Sequence, residues 1–168
     1  MSTKGGIYKG HKFNGDPKRF EVLAEFVWKQ FGRSIKYIAD AAGGQGMLCR
    51  VLNKKYNYLA EVVDPRGFAL RGVSSRQEEY SANMASYYDL IIGLHSDEAT
   101  KEVAFSAKVR PTILIPCCNF WDQEQTLGTD RLLEEIEKYY CKQKIPFEKI
   151  VFNFAGPKNV GFVTKVPV

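Results

Sequence analysis

Asp40-Ala41-Ala42-Gly43-Gly44-Gln45-Gly46-Met47-Leu48 is the stretch that decides the fold. It follows a short apolar run, Tyr37-Ile38-Ala39, which reads as a strand ending at Asp40. It opens a segment, Met47 to Lys55, that places Leu48, Val51 and Leu52 on one helical face. Small residues between a strand and a helix let backbone approach a ligand closely, and the helix start presents unpaired N–H groups. The next strand, Tyr58 to Val63, closes on Asp64-Pro65, and proline stops it. In a nucleotide-type site a carboxylate at that position reaches the ribose hydroxyls and accepts from both.

Outward from this core the strand-like and helix-like segments alternate, the pattern of a parallel sheet covered by helices. Upstream, Asp16-Pro17 is a helix start, Lys18 to Phe31 carries Phe20, Leu23, Phe26, Val27 and Phe31 on one face, and Gly32 ends it. Residues 1–16 read as loop. Downstream, a third strand near Phe68 to Val73 and a helix around Gln77 to Tyr87 are expected. Tyr88 to Leu94 reads as a buried strand, Asp97 to Val109 as a helix, and Thr112 to Ile115 as a strand ending at Pro116. After a polar and aromatic loop, Thr129 to Lys142 is an amphipathic helix with Leu132, Leu133, Ile136 and Tyr140 inward. Two β-rich runs, Lys149 to Phe154 and Val160 to Val166, flank Gly156-Pro157-Lys158-Asn159 and predict an antiparallel hairpin. Neither an internal repeat nor a linker divides the 168 residues, so one domain spanning 1–168 is expected.

Composition narrows the class. Hydrophobic residues make up 45% and charged residues 26%, ordinary for a globular chain with its own core. No apolar run approaches the roughly 18 residues that span a bilayer, and residues 1–12 lack a signal-type apolar segment. A cytoplasmic protein without membrane association is the expectation. Cys49, Cys117, Cys118 and Cys141 then read as reduced thiols rather than a disulfide framework. The formal net charge of +5 suits a polyanion such as RNA, and equally an ordinary lysine-rich surface.

Two cofactors fit a turn of this kind. A dinucleotide needs G-x-G-x-x-G, and Gly44-Gln45-Gly46-Met47-Leu48 leads instead to Cys49. The terminal hairpin also departs from the all-parallel dinucleotide folds. The residues resemble the class I S-adenosylmethionine-dependent methyltransferases, whose first motif looks like D-x-G-x-G-x-G. Asp40, Gly44 and Gly46 match it, Ala42 stands where the first glycine falls, and Gly43 fills the next position. The resemblance covers roughly residues 36 to 166. It implies a three-layer α/β Rossmann-like methyltransferase fold, with a mostly parallel seven-stranded sheet and an antiparallel last strand. It also implies S-adenosylmethionine as cofactor, with Asp40 and the turn Ala42, Gly43, Gly44, Gln45 and Gly46 around its methionine part and Asp64 on its ribose. Ser75, Gln77 and Glu78 are its candidates for the adenine, with Gln77 carried as the contact. Residues after the fourth strand, including His95, would face the transferred methyl.

His95 and Asp97 are the candidate catalytic residues. A histidine at the carboxyl end of a buried strand takes a proton from a hydroxyl or amine as it is methylated. Asp97 has a second reading, as cap of the following helix, and that reading is preferred. Cys117, Asn119, Phe120 and Trp121 lie after the fifth strand, and the two aromatics suit stacking on a flat substrate or covering the core. Gly-Leu-His after strand four with Cys-Cys after strand five is similar to a divergent group that includes tRNA 2′-O-methyltransferases, which implies an RNA acceptor. A metal held by His95, Cys117 and Cys118 is the disfavoured reading, and no metal is expected. Residues 1–16 read either as a lid over the cofactor or as a solvated terminus. A homodimer or partner subunit is expected to complete substrate recognition. The competing functions are a non-catalytic cofactor- or partner-binding module with the same fold and, behind it, an NAD-dependent oxidoreductase.

Overall fold

The computed structural model describes residues 15–118 and 120–168, together with the backbone of a two-stranded ribbon that pairs Ile7–Tyr8 with His11–Lys12. Apart from that ribbon, the segment expected as a lid lies outside the described residues up to residue 14, and so does Asn119. Seven strands form one sheet: β1 (Tyr37–Ala41), β2 (Leu59–Val63), β3 (Ser75–Arg76), β4 (Leu90–Leu94), β5 (Thr112–Ile115), β6 (Phe147–Val151) and β7 (Val160–Thr164). Their order is β3-β2-β1-β4-β5-β7-β6. All pairings are parallel except β5 with β7 and β7 with β6, so β7 alone runs against the rest. The order reverses between β1 and β4, which makes the carboxyl ends of those strands the switch point where open α/β sheets bind ligands.

The helices are α1 (Lys18–Phe31), α2 (Met47–Tyr56), α3 (Thr100–Ser106) and α4 (Thr129–Lys142). Strand alternation divides the core. Ile38, Leu90, Ile92, Ile113 and Ile115 pack with Leu23 and Val27 of α1 and Leu48 and Leu52 of α2. Ala39, Ile91, Leu114 and Phe162 face the other way, onto Val103 of α3 and Leu132, Ile136 and Tyr140 of α4. The three-layer fold expected from the sequence is therefore present. At the start of α1, Asp16 Oδ1 accepts from the Lys18 amide at 2.9 Å, and Gly32 ends the helix at φ 52°. At the foot of β1, Asp89 Oδ2 accepts from the amides of Lys36 and Tyr37, each at 2.8 Å. Among the described residues, no helix is long and apolar enough to cross a membrane.

Residues 66–87 differ from expectation. The third strand is only Ser75–Arg76, not 68–73, because Leu70 and Val73 close a turn (Val73 N–H to Leu70 O, 3.0 Å) with Gly72 at φ 81°. The expected helix over 77–87 is a 3-10 turn at Ala82–Tyr87, capped by the Ser81 hydroxyl. The helix read from Asp97 to Val109 starts with a 3-10 turn at Asp97–Ala99 and continues only over Thr100–Ser106. The hairpin exists, but its strands end earlier than read. Phe152 and Phe154 leave the sheet and pack back onto the α1 side of the core.

Candidate functional site

The turn after β1 is built around a buried carboxylate. Asp40 is 2% exposed, and the Cys49 thiol of α2 lies 3.7 Å from its Oδ2 as donor. Burial pushes the Asp40 carboxyl up to about 7, and nearby Asp64 adds to the rise. Gly43 sits against this group: a Cβ there would fall 2.3 Å from Asp40 Oδ2, so only glycine fits. Gly46 is equally confined, at φ 77° with Val73 and Val62 side chains 2.6 and 2.7 Å from where a Cβ would stand. Ala42, in the position where the resemblance places a glycine, takes the left-handed region at φ 53°. Its amide donates to Val63 O at 2.9 Å, which keeps the backbone in that shape.

Asp64, at the end of β2, points back to this turn. Its Oδ2 accepts from the Gly44 amide at 2.9 Å, and its Oδ1 accepts from the Arg66 amide at 2.9 Å. The Arg66 guanidinium then closes on both oxygens, Nε to Oδ1 at 3.0 Å and Nη2 to Oδ2 at 2.7 Å. Burial raises the Asp64 carboxyl, but the Arg66 side chain and the amides of Arg66 and Gly44 outweigh it and hold the group below the usual carboxylate range. The carboxylate expected to hold a ribose is thus already engaged by an arginine two residues away.

A cavity of about 400 Å³ opens between these groups and the end of β4. Ala42, Asp64 and Arg66 border it on one side, Ser96, Asp97 and Glu98 on another, with Tyr80, Glu102 and Phe120 closing it. Tyr80 is fixed by a 2.7 Å hydrogen bond with Ser106 of α3, and burial raises its phenol to about 12. Glu102 accepts from the Ala82 amide at 2.7 Å. A second, more open cleft of about 590 Å³ shares Glu98 and Phe120 with the first and adds Asp122, Gln123 and Glu124.

The expected residues distribute unevenly around this space. Ala42 and Asp64 border it, while Gly43 and Gly44 shape the turn beneath. Gln45 is buried, and its carbonyl accepts from the Leu70 amide at 2.9 Å, tying the following loop to the turn. Gln77 is exposed and lies over Gly67, away from the cavity, where Glu79 and Tyr80 take part instead. His95, at φ 52°, turns its ring outward from the cavity toward the hairpin loop. Its Nε2 lies 2.8 Å from Lys158 O and its ring meets Phe154 edge-on at 6.3 Å. A carbonyl only accepts, so Nε2 carries the proton and Nδ1 is left as the acceptor. Burial lowers the His95 pKa, outweighing the hydrogen bond to the Lys158 carbonyl, which favours the charged ring; the charges of Arg19 and Lys158 add to the lowering.

Asp97 borders the cavity, at φ 45°, and does not cap the helix with its side chain. Its carbonyl accepts from the Thr100 hydroxyl at 2.7 Å, while Oδ1 accepts from the Cys117 thiol at 3.1 Å. Phe120 is 38% exposed between the two spaces. Trp121 instead packs edge-on against Tyr139 of α4 at 5.7 Å, with Lys101 over its ring. Ser96 borders the cavity, as expected of the residues after the fourth strand, whereas Arg66, Glu79, Tyr80, Glu98 and Glu102 were not anticipated. Only Arg66 had a local signal, since Asp64-Pro65-Arg66 is an Asx-type turn in which the aspartate bonds the amide two residues on.

No protein-family model matches the sequence, and no curated protein matches it. Solved structures do match the fold. A Methanococcus maripaludis protein provisionally assigned as an S-adenosyl-L-methionine-dependent methyltransferase superposes with a TM-score of 0.61 at 14% identity, over 89% of this chain and 85% of its own. The methyltransferase domain of a bacterial Hen1 gives 0.59 at 13% identity, over 89% and 98%. The sugar N-methyltransferase KedS8 from Streptoalloteichus gives 0.58 at 14% identity, over 100% and 99%. With its reversed final strand and its β3-β2-β1-β4-β5-β7-β6 order, this chain adopts the Rossmann-like fold of the S-adenosylmethionine-dependent methyltransferases.

Proposed function

We propose that this chain binds S-adenosylmethionine in the 400 Å³ cavity and transfers its methyl group to an acceptor entering from the adjoining cleft. The observation that carries this reading is the pairing of the β1 turn with Asp64, at the end of β2, beside the switch point. The Gly44 amide and the Asp64 carboxylate already meet at 2.9 Å, so turn and acid form one cradle. The donors fit an adenosyl ligand. Gly43 and Gly44 leave the turn without side chains, α2 starts beside it, and Asp64 offers two oxygens to a diol once Arg66 withdraws.

When bound, S-adenosylmethionine supplies an electrophilic sulfonium methyl. The chain's own part is placement and exclusion of water. Ser96 and Asp97, held at the end of β4, border the space where an acceptor meets the methyl, and Phe120 offers it an apolar face. Asp97, with Glu98 beside it, is a cavity-lining carboxylate able to take a proton there. His95, anchored to Lys158, positions the Leu94–Asp97 backbone from behind.

For the acceptor, the lining weighs against the RNA suggested by net charge. Among the described residues, Asp64, Glu79, Asp97, Glu98 and Glu102 border the cavity with Arg66 as their one basic neighbour, and the outer cleft adds Asp122 and Glu124. Such a rim repels phosphates and favours a neutral or cationic acceptor such as an amine. The antiparallel β7 likewise speaks against the dinucleotide alternative.

Calorimetric titration with S-adenosylmethionine, S-adenosylhomocysteine and NADH tests the reading. The expected result is micromolar binding of both sulfur ligands, weakened by Asp64→Ala, with none of NADH. No binding at millimolar ligand would remove the methyltransferase reading and leave a module that shares only the fold. Transfer of labelled methyl to an amine panel, but not to RNA transcripts, is the expected acceptor pattern.

A further inference from the structure

Strand ends bring three metal-type donors together on the far rim of the cavity. The His95 amide donates to Ile115 O at 2.9 Å, locking the end of β4 beside the end of β5. This lateral tie sets residue 97 next to residues 117 and 118. Asp97 Oδ1 lies 3.1 Å from Cys117 Sγ, and Cys117 Sγ lies 3.5 Å from Cys118 Sγ. One donor atom from each of the three residues falls within 4.8 Å of the others. Side chains of consecutive extended residues ordinarily point to opposite sides, so two adjacent sulfurs on one side is an unusual arrangement.

We propose that Asp97, Cys117 and Cys118 form a binding site for a thiophilic divalent cation of the zinc type, with its fourth position left to solvent or acceptor. Tetrahedral zinc with sulfur at about 2.3 Å and oxygen at about 2.0 Å requires S···S near 3.8 Å and S···O near 3.5 Å. Both separations at Cys117 are within a few tenths of an ångström of that, and the third, Asp97 to Cys118, is at most 4.8 Å, so binding draws those two donors together about Cys117. As each metal–sulfur bond forms, the thiol releases its proton to solvent, two protons per cation, and no electron moves. Two thiolates and a carboxylate then exceed the cation's charge by one. Lys158, whose Nζ donates to Cys118 Sγ at 3.7 Å, supplies the balancing positive charge, and Arg19 is close enough to Cys117 to add to it. Donor type selects the metal: two sulfurs exclude magnesium and calcium, which take oxygen ligands.

The sequence led to no metal being expected, its disfavoured alternative pairing the cysteines with His95; the structure commits His95 Nε2 to Lys158 O and sets Asp97 beside the cysteines instead. The site does not depend on the methyltransferase reading, and its test is separate. Reduced, metal-stripped full-length chain is titrated with cobalt(II). The expected result is one equivalent bound, with the thiolate-to-cobalt charge-transfer and visible bands of a tetrahedral site, bleached by one equivalent of zinc. Cys117→Ser and Cys118→Ser each remove the charge-transfer intensity contributed by their sulfur, and Asp97→Asn weakens binding by at least about tenfold. Cys141→Ser, on the exposed face of α4, leaves the spectrum unchanged. Cys118 is exposed, so its serine variant keeps the fold, checked by circular dichroism. Absence of the bands in the native chain, or bands unchanged in Cys118→Ser, overturns the proposal. S-adenosylhomocysteine binding, measured on the same metal-free and loaded samples, reports on the methyltransferase reading alone.

Discussion

Removing the Arg66 side chain should tighten binding of an adenosyl ligand. Among the described residues the Asp64 carboxylate accepts four hydrogen bonds, and two come from the Arg66 guanidinium. A ribose diol has to displace that guanidinium. The Asp64 side chain is 2% exposed but the Arg66 side chain is 48% exposed, so the pair falls between a surface ion pair and a buried one. Charge-assisted bonds to a buried group contribute roughly 1.5–3 kcal/mol, and an exposed pair up to about 1 kcal/mol. Discounting for solvent on the arginine side gives about 1 kcal/mol, or roughly fivefold in Kd. Calorimetry with S-adenosylhomocysteine on native chain, Arg66→Ala, Asp64→Ala and the double variant checks this. The gain should vanish when Asp64 is absent, because Arg66 then has nothing to block. High salt, which screens the half-exposed pair, should also tighten the native chain and leave Arg66→Ala unmoved. If Arg66→Ala weakens binding with or without Asp64, the arginine holds the ligand itself and the competition argument fails.

The β1 turn makes a paired prediction. Gly46→Ala combines a strained φ with overpacking against Val62 and Val73, and should cost about 3 kcal/mol, a fall in Tm of roughly 10 °C. Ala42→Gly relieves a left-handed alanine but loosens the unfolded chain, for a net gain of about 0.5 kcal/mol in urea unfolding. Asp40 should leave a mark on the pH dependence. Its folded pKa is raised to about 7 by burial, so between about pH 4 and 7 the folded chain holds the proton more than the unfolded chain does. Its contribution to stability is therefore full below its unfolded pKa and is lost as pH rises toward 7, at up to about 1.4 kcal/mol per pH unit. Asp40→Asn should flatten that slope in urea titrations, and an unchanged slope would mean the carboxyl is not the group responsible.

What the sequence disclosed follows physical locality. Helices α1 and α4 were legible to the residue because an apolar stripe and end signals such as Asp16 and Gly32 are encoded within each segment. The β1 turn was legible because small residues there have one common cause. Residues 66–87 were not, because their shape is imposed from outside: Tyr80 by Ser106, Ala82 by Glu102, and Leu70 by Gln45. No periodicity records such bonds. Within the candidate site, Asp64 could be read as an acid at a strand end, but its saturation by Arg66 could not. The cap expected of Asp97 failed for a related reason, since the Cys117 thiol, distant in sequence, draws its carboxylate away.

The hairpin loop has a consequence for the order in which the molecule is made. Ala155 donates to Asp16 across 139 positions, Lys158 anchors His95, and β7 covers the flank of β5. A chain emerging from the ribosome N-terminus first can align β1, β2, β4 and β5 well before any of these partners exists. Until residues 158–164 appear, β5 is an open sheet edge, and the loop after β4 lacks its anchor. The cavity therefore matures last, although most of the residues that line it are translated early. A nascent chain stalled before residue 155 should present this unpaired edge to chaperones.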